Sequence, residues 1–357
     1  MPTLPDFNWT THINNSPHVV ILGAGASKAA LPRGDANGKK IPLMQDLAKY
    51  LGLRSEIKHA GFADPRDFES VYDNLENTGR NPKLKLNIET AVQSYFESLS
   101  LPKRPTLYDY LILSLREKDL IATFNWDPFL AQAFRRNLKG QALPQLAFLH
   151  GNVGIGVCTA DRGKGFKDSV CPRCGKPLEA TKLLYPVSSK NYNADPFISN
   201  EWLVLKRFLD RAYMLTIFGY SAPKTDTAAV DLMSGAWTTN KFFELGQVNI
   251  VDVKSEGVLE KTWQPFFCRD HYGLYRDLQP TWIMRFPRRS CEAFAMATLQ
   301  NDPWPDNKFQ KLGSLEDLHA WIAPLIAEER VGNFTGTPCP RIPTCWFQNF
   351  WRSAHAD

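Results

Sequence analysis

The sequence predicts an α/β protein with a Rossmann-like, mostly parallel sheet, a helical insert and a small zinc-knuckle-like insert. Two observations lead to this prediction. Short apolar runs of strand length alternate with segments of helical periodicity. Polar or glycine-rich residues directly follow four of these runs. Because ligands bind beyond the carboxyl ends of parallel strands, we expect the four polar segments to meet in one crevice.

Six apolar runs are predicted as strands. The first four, with the motifs that follow them, are His18–Leu22 before Gly23-Ala-Gly-Ala-Ser27, Leu120–Phe124 before Asn125-Trp-Asp127, Gln145–Leu149 before His150-Gly151, and Tyr213–Phe218 before Gly219-Tyr-Ser221. The fifth run is Val248–Val253, and Trp282–Phe286 is predicted as the last strand.

Helical periodicity fills most of the chain between the first two strands. This stretch covers 43–118, and its clearest helices are Leu84–Leu99 and Thr106–Leu115. In contrast, 152–182 is rich in Gly, Lys and Cys and has no helical period. We therefore predict a single domain over 1–300 that contains both segments as inserts. A C-terminal helical extension is predicted at 301–357.

The composition excludes several classes of protein. Hydrophobic residues make up 43% and charged residues 22%, as in ordinary globular proteins. The net charge of +5 is a mild bias, so no direct nucleic-acid binding is expected. No apolar run reaches the roughly 18 residues that cross a bilayer, and the opening residues do not form a signal peptide. Seven cysteines, an odd number, argue against a disulfide framework, so we expect a cytoplasmic protein.

The first polar motif, Gly23–Ser27, has the form of a phosphate-binding turn. Glycines permit a tight turn and let backbone N–H groups approach a pyrophosphate. The usual dinucleotide fingerprint has a third glycine where this chain has Lys28, which disfavours a plain dehydrogenase. A purely structural turn is the alternative. The following loop, 33–42, does not have Walker spacing and is predicted to be a mobile cover over the nucleotide site.

The next two motifs supply side chains suited to catalysis. The amide of Asn125 can hold a ribose hydroxyl, a carboxamide or a water. His150 is of the residue type most often used as a general base. The alternatives are structural. Asp127 before Pro128 is a good helix start, and His150 can be a hydrogen-bonded histidine at a strand end.

The pair Cys171 and Cys174 has the spacing of half a zinc site. Cys158 is a suitable third ligand, while the fourth stays open between nearby Asp161 and the remote Cys268-x-x-His271. We predict structural zinc at the three cysteines. A relic knuckle that binds no metal is the alternative.

In their order along the chain, these motifs resemble those of the sirtuin superfamily. The matching set is Gly23–Ser27, Ile41-Pro42, Thr123-Phe-Asn125-Trp-Asp127, Leu149-His150-Gly151, the Cys171/Cys174 knuckle, and Gly219-Tyr-Ser221 followed by Thr227. The set covers roughly residues 15–290. It resembles most closely the sirtuin-like NAD hydrolases of bacterial anti-phage defence.

The resemblance implies that the domain over 1–300 takes NAD+ as its substrate and cleaves it to nicotinamide and ADP-ribose. It implies that Asn125 lies beside the nicotinamide ribose and helps to place the attacking water. Asp127 then contacts the nicotinamide end, and His150 acts on the ribose as general base. The remaining implied contacts are the diphosphate with Gly23, Ala24, Gly25, Ala26 and Ser27, and the adenosine end with Gly219, Ser221 and Asp252.

Two departures separate this chain from the protein deacylases of that superfamily. Those enzymes carry Asp-Phe-Arg after Ile-Pro, whereas Leu43-Met44-Gln45 follows Pro42 here, and their four-cysteine ribbon is incomplete here. Both departures weaken the interpretation as a deacylase and leave the interpretation as a hydrolase intact. An NAD-dependent protein deacylase or ADP-ribosyl transferase is the first alternative. A non-catalytic module that binds NAD+ or ADP-ribose is the second.

The chain is further expected to form a homo-oligomer and to have a separately encoded ATPase or sensor protein as partner. An unregulated NAD hydrolase would kill its host, and we recognise no sensor domain beside the catalytic motifs. Aromatic residues suited to an interface core are Trp263, Phe266, Phe267, Trp304, Trp346, Phe347, Phe350 and Trp351. The alternative is that these rings close the core of the domain.

Overall fold

The computed structural model describes residues 16–139, 141–161, 163–188, 190–300 and 306–331. The strands in these ranges are β1 His18–Leu22, β2 Leu120–Thr123, β3 Gln145–Phe148, β4 Ile155–Val157, β5 Lys164–Phe166, β6 Glu179–Ala180, β7 Met214–Phe218, β8 Gln247–Val251 and β9 Tyr272–Tyr275. The helices are α1 Ala24–Ala30, α2 Met44–Tyr50, α3 Arg54–His59, α4 Phe68–Thr78, α5 Pro82–Glu97, α6 Leu107–Leu113, α7 Phe129–Asn137, α8 Pro196–Leu209, α9 Thr227–Thr238, α10 Glu256–Trp263, α11 Trp282–Arg285, α12 Ser290–Gln300 and α13 Leu315–Val331.

The centre of the fold is a six-stranded sheet in the order β3-β2-β1-β7-β8-β9. All of its neighbouring strands pair in parallel. Strands β1, β7 and β8 are buried along their whole length, because helices cover both faces of the sheet. The predicted mostly parallel α/β fold is confirmed.

The strand order reverses at β1. The chain adds β2 and β3 on one side of β1 and then returns to add β7, β8 and β9 on the other side. Such a reversal opens a crevice at the carboxyl ends of the central strands. The turns after β1 and β7 therefore flank this crevice, with the end of β2 beside it.

The predicted helical insert is confirmed as helices α2 to α6. Helix α4 begins after Asp67, whose side chain accepts a hydrogen bond from the Ser70 N–H, and it ends at Gly79 in the left-handed conformation (φ 62°). The side chain of Asn81 caps α5 by accepting from the Leu84 N–H. The apolar faces of these helices join the core on one face of β1 and β2.

The cysteine-containing insert forms a separate antiparallel sheet. Its three strands lie in the order β5-β4-β6. Across the described ranges, no helix combines the length and the apolar character needed to span a membrane.

The prediction of a last strand at Trp282–Phe286 is wrong, because this segment contains helix α11. Ile283 and Met284 are buried, and Trp282 stacks on Phe286. Apart from Arg285 the segment is apolar, and an apolar run this short has no period by which a helix can be distinguished from a strand. The last strand is β9, a half-buried edge strand.

The interface prediction for the aromatic residues is wrong at Trp263 and Phe266. Both side chains are buried in the core that includes β8, so they close the domain. Phe267 is partly buried against the same core and stacks on Tyr272 at 4.1 Å. The other predicted interface residues, Trp304, Trp346, Phe347, Phe350 and Trp351, lie outside the described ranges.

A buried polar cluster lies at the amino ends of the strands. His18 Nδ1 is hydrogen-bonded to Ser290 Oγ (2.7 Å) and Nε2 to Thr216 Oγ1 (2.8 Å). The His18 N–H donates to Asp119, which pairs with Lys118. Burial lowers the pKa of His18 to about 3, so the imidazole is neutral.

Ion pairs tie the C-terminal helices to the rest of the domain through Arg116–Glu292, Arg288–Glu329 and Arg289–Glu328.

Candidate active site

A cavity of about 480 Å³ lies in the crevice at the carboxyl ends of the strands. This size is typical of pockets that hold small ligands. Ala26 of the turn after β1 is a predicted site residue, but it is fully buried and does not line the cavity. The three predicted metal-binding cysteines lie in the cysteine-containing insert. The predicted site residues that line the cavity are Gly23, Ala24, Gly25, Ser27, Asn125, Asp127, His150, Gly219, Ser221 and Asp252. The structure thus brings the four strand-end motifs together, as the strand pattern predicts.

The two glycine turns that flank the cavity interlock. The Gly25 N–H donates to the Gly219 carbonyl (2.9 Å). A Cβ atom on Gly25 would lie 2.7 Å from Gly219 Cα, and one on Gly23 would lie 2.5 Å from Tyr220 Cα. Glycine is therefore required because the backbone of the second turn fills the space of a side chain. The glycines at 23 and 25 therefore have the structural role that the sequence analysis gave as the alternative. The turn that contains them also lines the cavity.

Ser27 is the centre of a buried hydrogen-bond network beneath the first turn. Its hydroxyl donates to Asp127 Oδ2 (2.6 Å) and lies 2.7 Å from the Tyr108 hydroxyl oxygen. Asn125 Nδ2 donates to Ser27 Oγ (3.0 Å) and to the Gly23 carbonyl (2.9 Å). The nitrogen of the Asn125 amide is therefore fixed by the protein. Its Oδ1 receives no hydrogen bond from the described part of the chain, so it is free to accept one from a ligand.

Asp127 accepts hydrogen bonds both at the start of helix α7 and in the network around Ser27. Its Oδ1 accepts a hydrogen bond from the Phe129 N–H (3.2 Å), which supports the first turn of α7. Its Oδ2 accepts from Ser27. Burial raises the pKa of Asp127 to about 6, while the hydrogen bond from Ser27 opposes this rise.

The sequence analysis misses Asn152, which supports the Asn125–Asp127 segment from behind. Asn152 Nδ2 donates to the carbonyl oxygens of Asn125 (3.1 Å) and Asp127 (2.7 Å). The Asn152 N–H donates to Thr181 Oγ1 (3.0 Å). Its position directly after His150-Gly151 is a signal that could have found it.

His150 is 6% exposed and lies among aromatic rings. The edge of Phe124 contacts it at a centroid distance of 4.8 Å, and Tyr192 stacks on it at 6.2 Å. Its Nε2 is buried and has no hydrogen-bond partner in the described chain. Burial and then the nearby ammonium of Lys190 lower the pKa of His150 to about 3, while Asp226 opposes them. The imidazole is therefore neutral near pH 7, and a neutral imidazole has one ring nitrogen whose lone pair can accept a hydrogen bond.

Three charged residues of the cavity wall, Glu69, Lys190 and Asp226, are absent from the predicted site. Lys190 and Asp226 form a buried ion pair, and Glu69 accepts a hydrogen bond from Thr225 (3.1 Å). Burial raises the pKa of Glu69. Asp226 precedes Thr227 of the fourth motif, which is a usable signal. Lys190 lies in an aperiodic segment that gives none.

The outer part of the cavity is bordered by Ser221 and Asp252, the first exposed and the second partly exposed. Asp252 Oδ1 accepts the Lys254 N–H (3.0 Å). Ala222 has a positive φ of 48°, an unusual conformation for a residue with a side chain.

The loop predicted to cover the nucleotide site lies beside the cavity. Ile41 and Pro42 line it, and the rest of the loop is anchored by Asp35. The Asp35 carboxylate accepts hydrogen bonds from the N–H groups of Lys39 (2.8 Å) and Ser100 (3.0 Å).

The cysteine-containing insert brings four potential metal ligands together. One donor atom from each of Cys158, Asp161, Cys171 and Cys174 lies within 4.8 Å of the others. Cys158 Sγ is 3.5 Å from Cys174 Sγ, and Cys171 Sγ is 3.2 Å from Asp161 Oδ2. Three thiolates and a carboxylate fit a tetrahedral zinc site. Of the two candidates for a fourth ligand, Asp161 lies in this cluster, whereas Cys268 and His271 are not part of it.

Comparison with known proteins gives the following similarities. No family model and no curated protein matches the chain. A Sir2 homologue in complex with NAD is 15% identical, with 82% of this chain and 96% of that chain covered and a TM-score of 0.37. A variant Sir2 homologue in complex with ADP-ribose is 14% identical, with 70% and 86% covered and a TM-score of 0.37. A structure described as the structural basis of sirtuin substrate affinity is 17% identical, with 74% and 91% covered and a TM-score of 0.38.

Proposed function

We propose that this protein is an NAD+ glycohydrolase that produces nicotinamide and ADP-ribose. The observation behind the proposal is the meeting of Asn125 and His150 with both glycine turns in one cavity. The motif order, which resembles that of sirtuin-like NAD hydrolases, supports the same function.

The arrangement suits hydrolysis at the nicotinamide–ribose bond. When this bond breaks, its electron pair leaves with nicotinamide, water adds to ribose C1′, and the water loses a proton. The neutral imidazole of His150 can take up that proton, directly or through a ribose hydroxyl. Oδ1 of Asn125 can accept a hydrogen bond from the same water or hydroxyl, because the amide nitrogen is already engaged.

The direct test is to incubate the purified full chain with NAD+ and measure nicotinamide and ADP-ribose. Nicotinamide release that disappears in His150→Ala would support the proposal. A folded wild-type protein that binds NAD+ and releases no nicotinamide, in the presence or absence of partner proteins, would favour the non-catalytic module instead.

The first alternative, a protein deacylase or ADP-ribosyl transferase, is tested in the same assay. Leu43, Met44 and Gln45 line the cavity where the deacylases of the superfamily carry Asp-Phe-Arg. We therefore expect no increase in NAD+ consumption when an acyl-lysine peptide is added. Deacylated peptide or ADP-ribosylated protein as the main product would favour the alternative.

We further propose that the enzyme depletes cellular NAD+ as the effector of an anti-phage system. By the same resemblance it acts in the cytoplasm as a homo-oligomer, with a separately encoded ATPase or sensor protein. The five cysteines of the described ranges are free thiols, which agrees with a reducing compartment. Light scattering of the chain, alone and with candidate partners, tests the assembly, and NAD+ levels during infection test the role.

We propose that the Cys158–Asp161–Cys171–Cys174 cluster holds a structural zinc ion. When bound, the ion would cross-link the loops of the small sheet and so stabilise the insert. The cluster is not part of the cavity wall, so no step of the reaction depends on it.

A further inference from the structure

Lys190 and Asp226 share the cavity wall with His150. Their side chains are 2% and 5% exposed, and they pair with each other. Two charges that are removed from water lose their hydration, and a buried ion pair often adds little net stability. A pair at this place therefore suggests a role other than holding the fold.

A continuous set of contacts connects the pair to the imidazole. The Tyr220 hydroxyl donates to Asp226 Oδ2 (2.9 Å). The Tyr220 ring stacks on Phe124 with a centroid distance of 4.1 Å and an interplanar angle of 5°. Phe124 in turn contacts the His150 ring edge-on at 4.8 Å. Asp226 is therefore connected through two aromatic rings to the side chain of His150.

Helix α4 of the helical insert holds the two segments that carry the pair. Thr225, next to Asp226, donates from its hydroxyl to Glu69 Oε2 (3.1 Å). Ser188, two residues before Lys190, donates to Asp73 Oδ1 from its N–H (2.7 Å) and its hydroxyl (2.9 Å). Glu69 and Asp73 are four residues apart and so lie on the same face of α4.

The charges around His150 come from several elements. The ammonium of Lys190 disfavours the imidazolium, and the carboxylate of Asp226 favours it less strongly. The hydroxyls of Tyr192 and Tyr220 are neutral, because burial raises the pKa of both. Glu69 interacts electrostatically with Asp226 and Lys190, whereas the charges that shift the pKa of His150 are those of Lys190 and Asp226.

We propose that Lys190 and Asp226 are positioning residues for His150. Their ion pair orients the ring through Tyr220 and Phe124, and the adjacent ammonium adds to burial in disfavouring the imidazolium. Helix α4 fixes the pair from outside through Glu69 and Asp73. The inference rests on the proposed glycohydrolase reaction for its catalytic meaning, but its physical content is testable without that reaction.

The test is a pH titration of ¹⁵N-histidine-labelled full chain by NMR, with His150 assigned from the signal lost in His150→Gln. In Lys190→Met the midpoint of His150 should rise by about one pH unit, because burial persists while the charge of Asp226 is no longer opposed by that of Lys190. Lys118→Met is the matched control, since Lys118 is a buried lysine that pairs with an aspartate beside His18. It should move the midpoint of His18 and leave that of His150 unchanged.

An unchanged His150 midpoint in folded Lys190→Met would overturn the proposal. If that variant does not fold, Lys190→Met/Asp226→Asn replaces it, because it leaves no unpaired buried charge. In this double variant the midpoint of His150 should rise by a smaller amount, and no rise would again overturn the proposal.

The pH profile of kcat/KM gives the catalytic half of the test. Measured in an Asp127→Asn background, where Asp127 no longer sets the acid limb, that limb should move to higher pH when Lys190→Met is added, and an unmoved limb would contradict the role. If the wild type releases no nicotinamide, the proposed function fails while the NMR result still decides the positioning.

Discussion

His18 at the amino end of the sheet and His150 at the carboxyl end are both buried beside a lysine–aspartate pair. In both, burial lowers the pKa to about 3. They differ in hydrogen bonding, since both ring nitrogens of His18 are bonded, whereas Nε2 of His150 has no partner in the described chain. Burial and nearby charge are therefore of the same kind at the two histidines. What separates them is the unused hydrogen-bonding capacity of His150, which lies at the cavity.

The largest expected effect is the loss of activity in His150→Ala and Asn125→Ala. Removal of a general base typically lowers the rate by about 10²–10⁴, so NAD+ cleavage by His150→Ala should fall by that factor. Because His150 Nε2 has no hydrogen-bond partner in the described part of the chain, removal of the ring leaves no buried polar group unpaired, and the melting temperature should fall by less than in His18→Ala. His59→Ala, at an exposed position, is the control and should keep full activity. Wild-type turnover in folded His150→Ala would remove the histidine from the mechanism.

At the amino end of the sheet, His18→Ala is expected to lower stability and to keep activity. This variant leaves Ser290 and Thr216 without their buried partner and opens a cavity, so the free energy of unfolding should fall by about 2–4 kcal/mol. Denaturant titration measures the change. Turnover per folded molecule should be unaffected. If His18→Ala lowers turnover as much as His150→Ala does, the contrast between the two ends is wrong.

A smaller effect is expected for Asp127, whose pKa of about 6 lies above its usual value. The carboxylate form, which accepts the Ser27 hydrogen bond, predominates above this pH. We therefore expect kcat/KM to be halved near pH 6 and to fall further below it. Asp127→Asn should be about tenfold less active at pH 7, with no such dependence between pH 5 and 7.

Asp119 at the amino end is the matched control for this profile. Its burial favours a higher pKa, but Lys118 and Arg116 outweigh burial and hold the pKa below the usual value. Asp119→Asn should therefore lower stability and keep the wild-type pH profile. An Asp127→Asn profile that matches the wild type would show that another group sets the acid limb.

The smallest expected effect on turnover concerns the metal cluster, which lies at neither end of the sheet. We expect about one zinc per chain, and a chelator should lower the melting temperature before it lowers turnover. Asp161→Asn and Cys171→Ser should reduce the zinc content, whereas Cys268→Ser, outside the cluster, should keep it. Zinc-free protein with an unchanged melting temperature would favour the relic knuckle.

The parts of the site that the sequence predicts are those with local signals. A buried strand and the polar residues directly after it are adjacent in the chain, so the turns at Gly23 and Gly219 and the side chains of Asn125 and His150 could be located. The Lys190–Asp226 pair could not be located from the sequence. Its two members are 36 residues apart, and neither follows a strand directly.

The errors in the predicted fold also arise where the sequence has no local signal. Four of the five residues of the segment Trp282–Phe286 are apolar, so its pattern does not separate a helix from a strand. Trp263 and Phe266 are large apolar residues in the final turn of α10 and the segment after it, where the sequence does not distinguish core from interface. Asp161 could be named as a ligand only as a neighbour of Cys158, because its place beside Cys171 and Cys174 depends on the folding of the small sheet.

The interlocked glycine turns make the tolerance of this site to substitution highly uneven. A Cβ atom on Gly219 would lie 2.2 Å from the Ala26 nitrogen, and the residue has a φ of 62°. Neither turn can accept a side chain while the other keeps its backbone position. In a saturation library, positions 23, 25 and 219 should therefore yield almost no folded substitutions, while Gly257, with open space around it, should accept many. Transplanting the first turn into another scaffold would require the second turn to be moved with it.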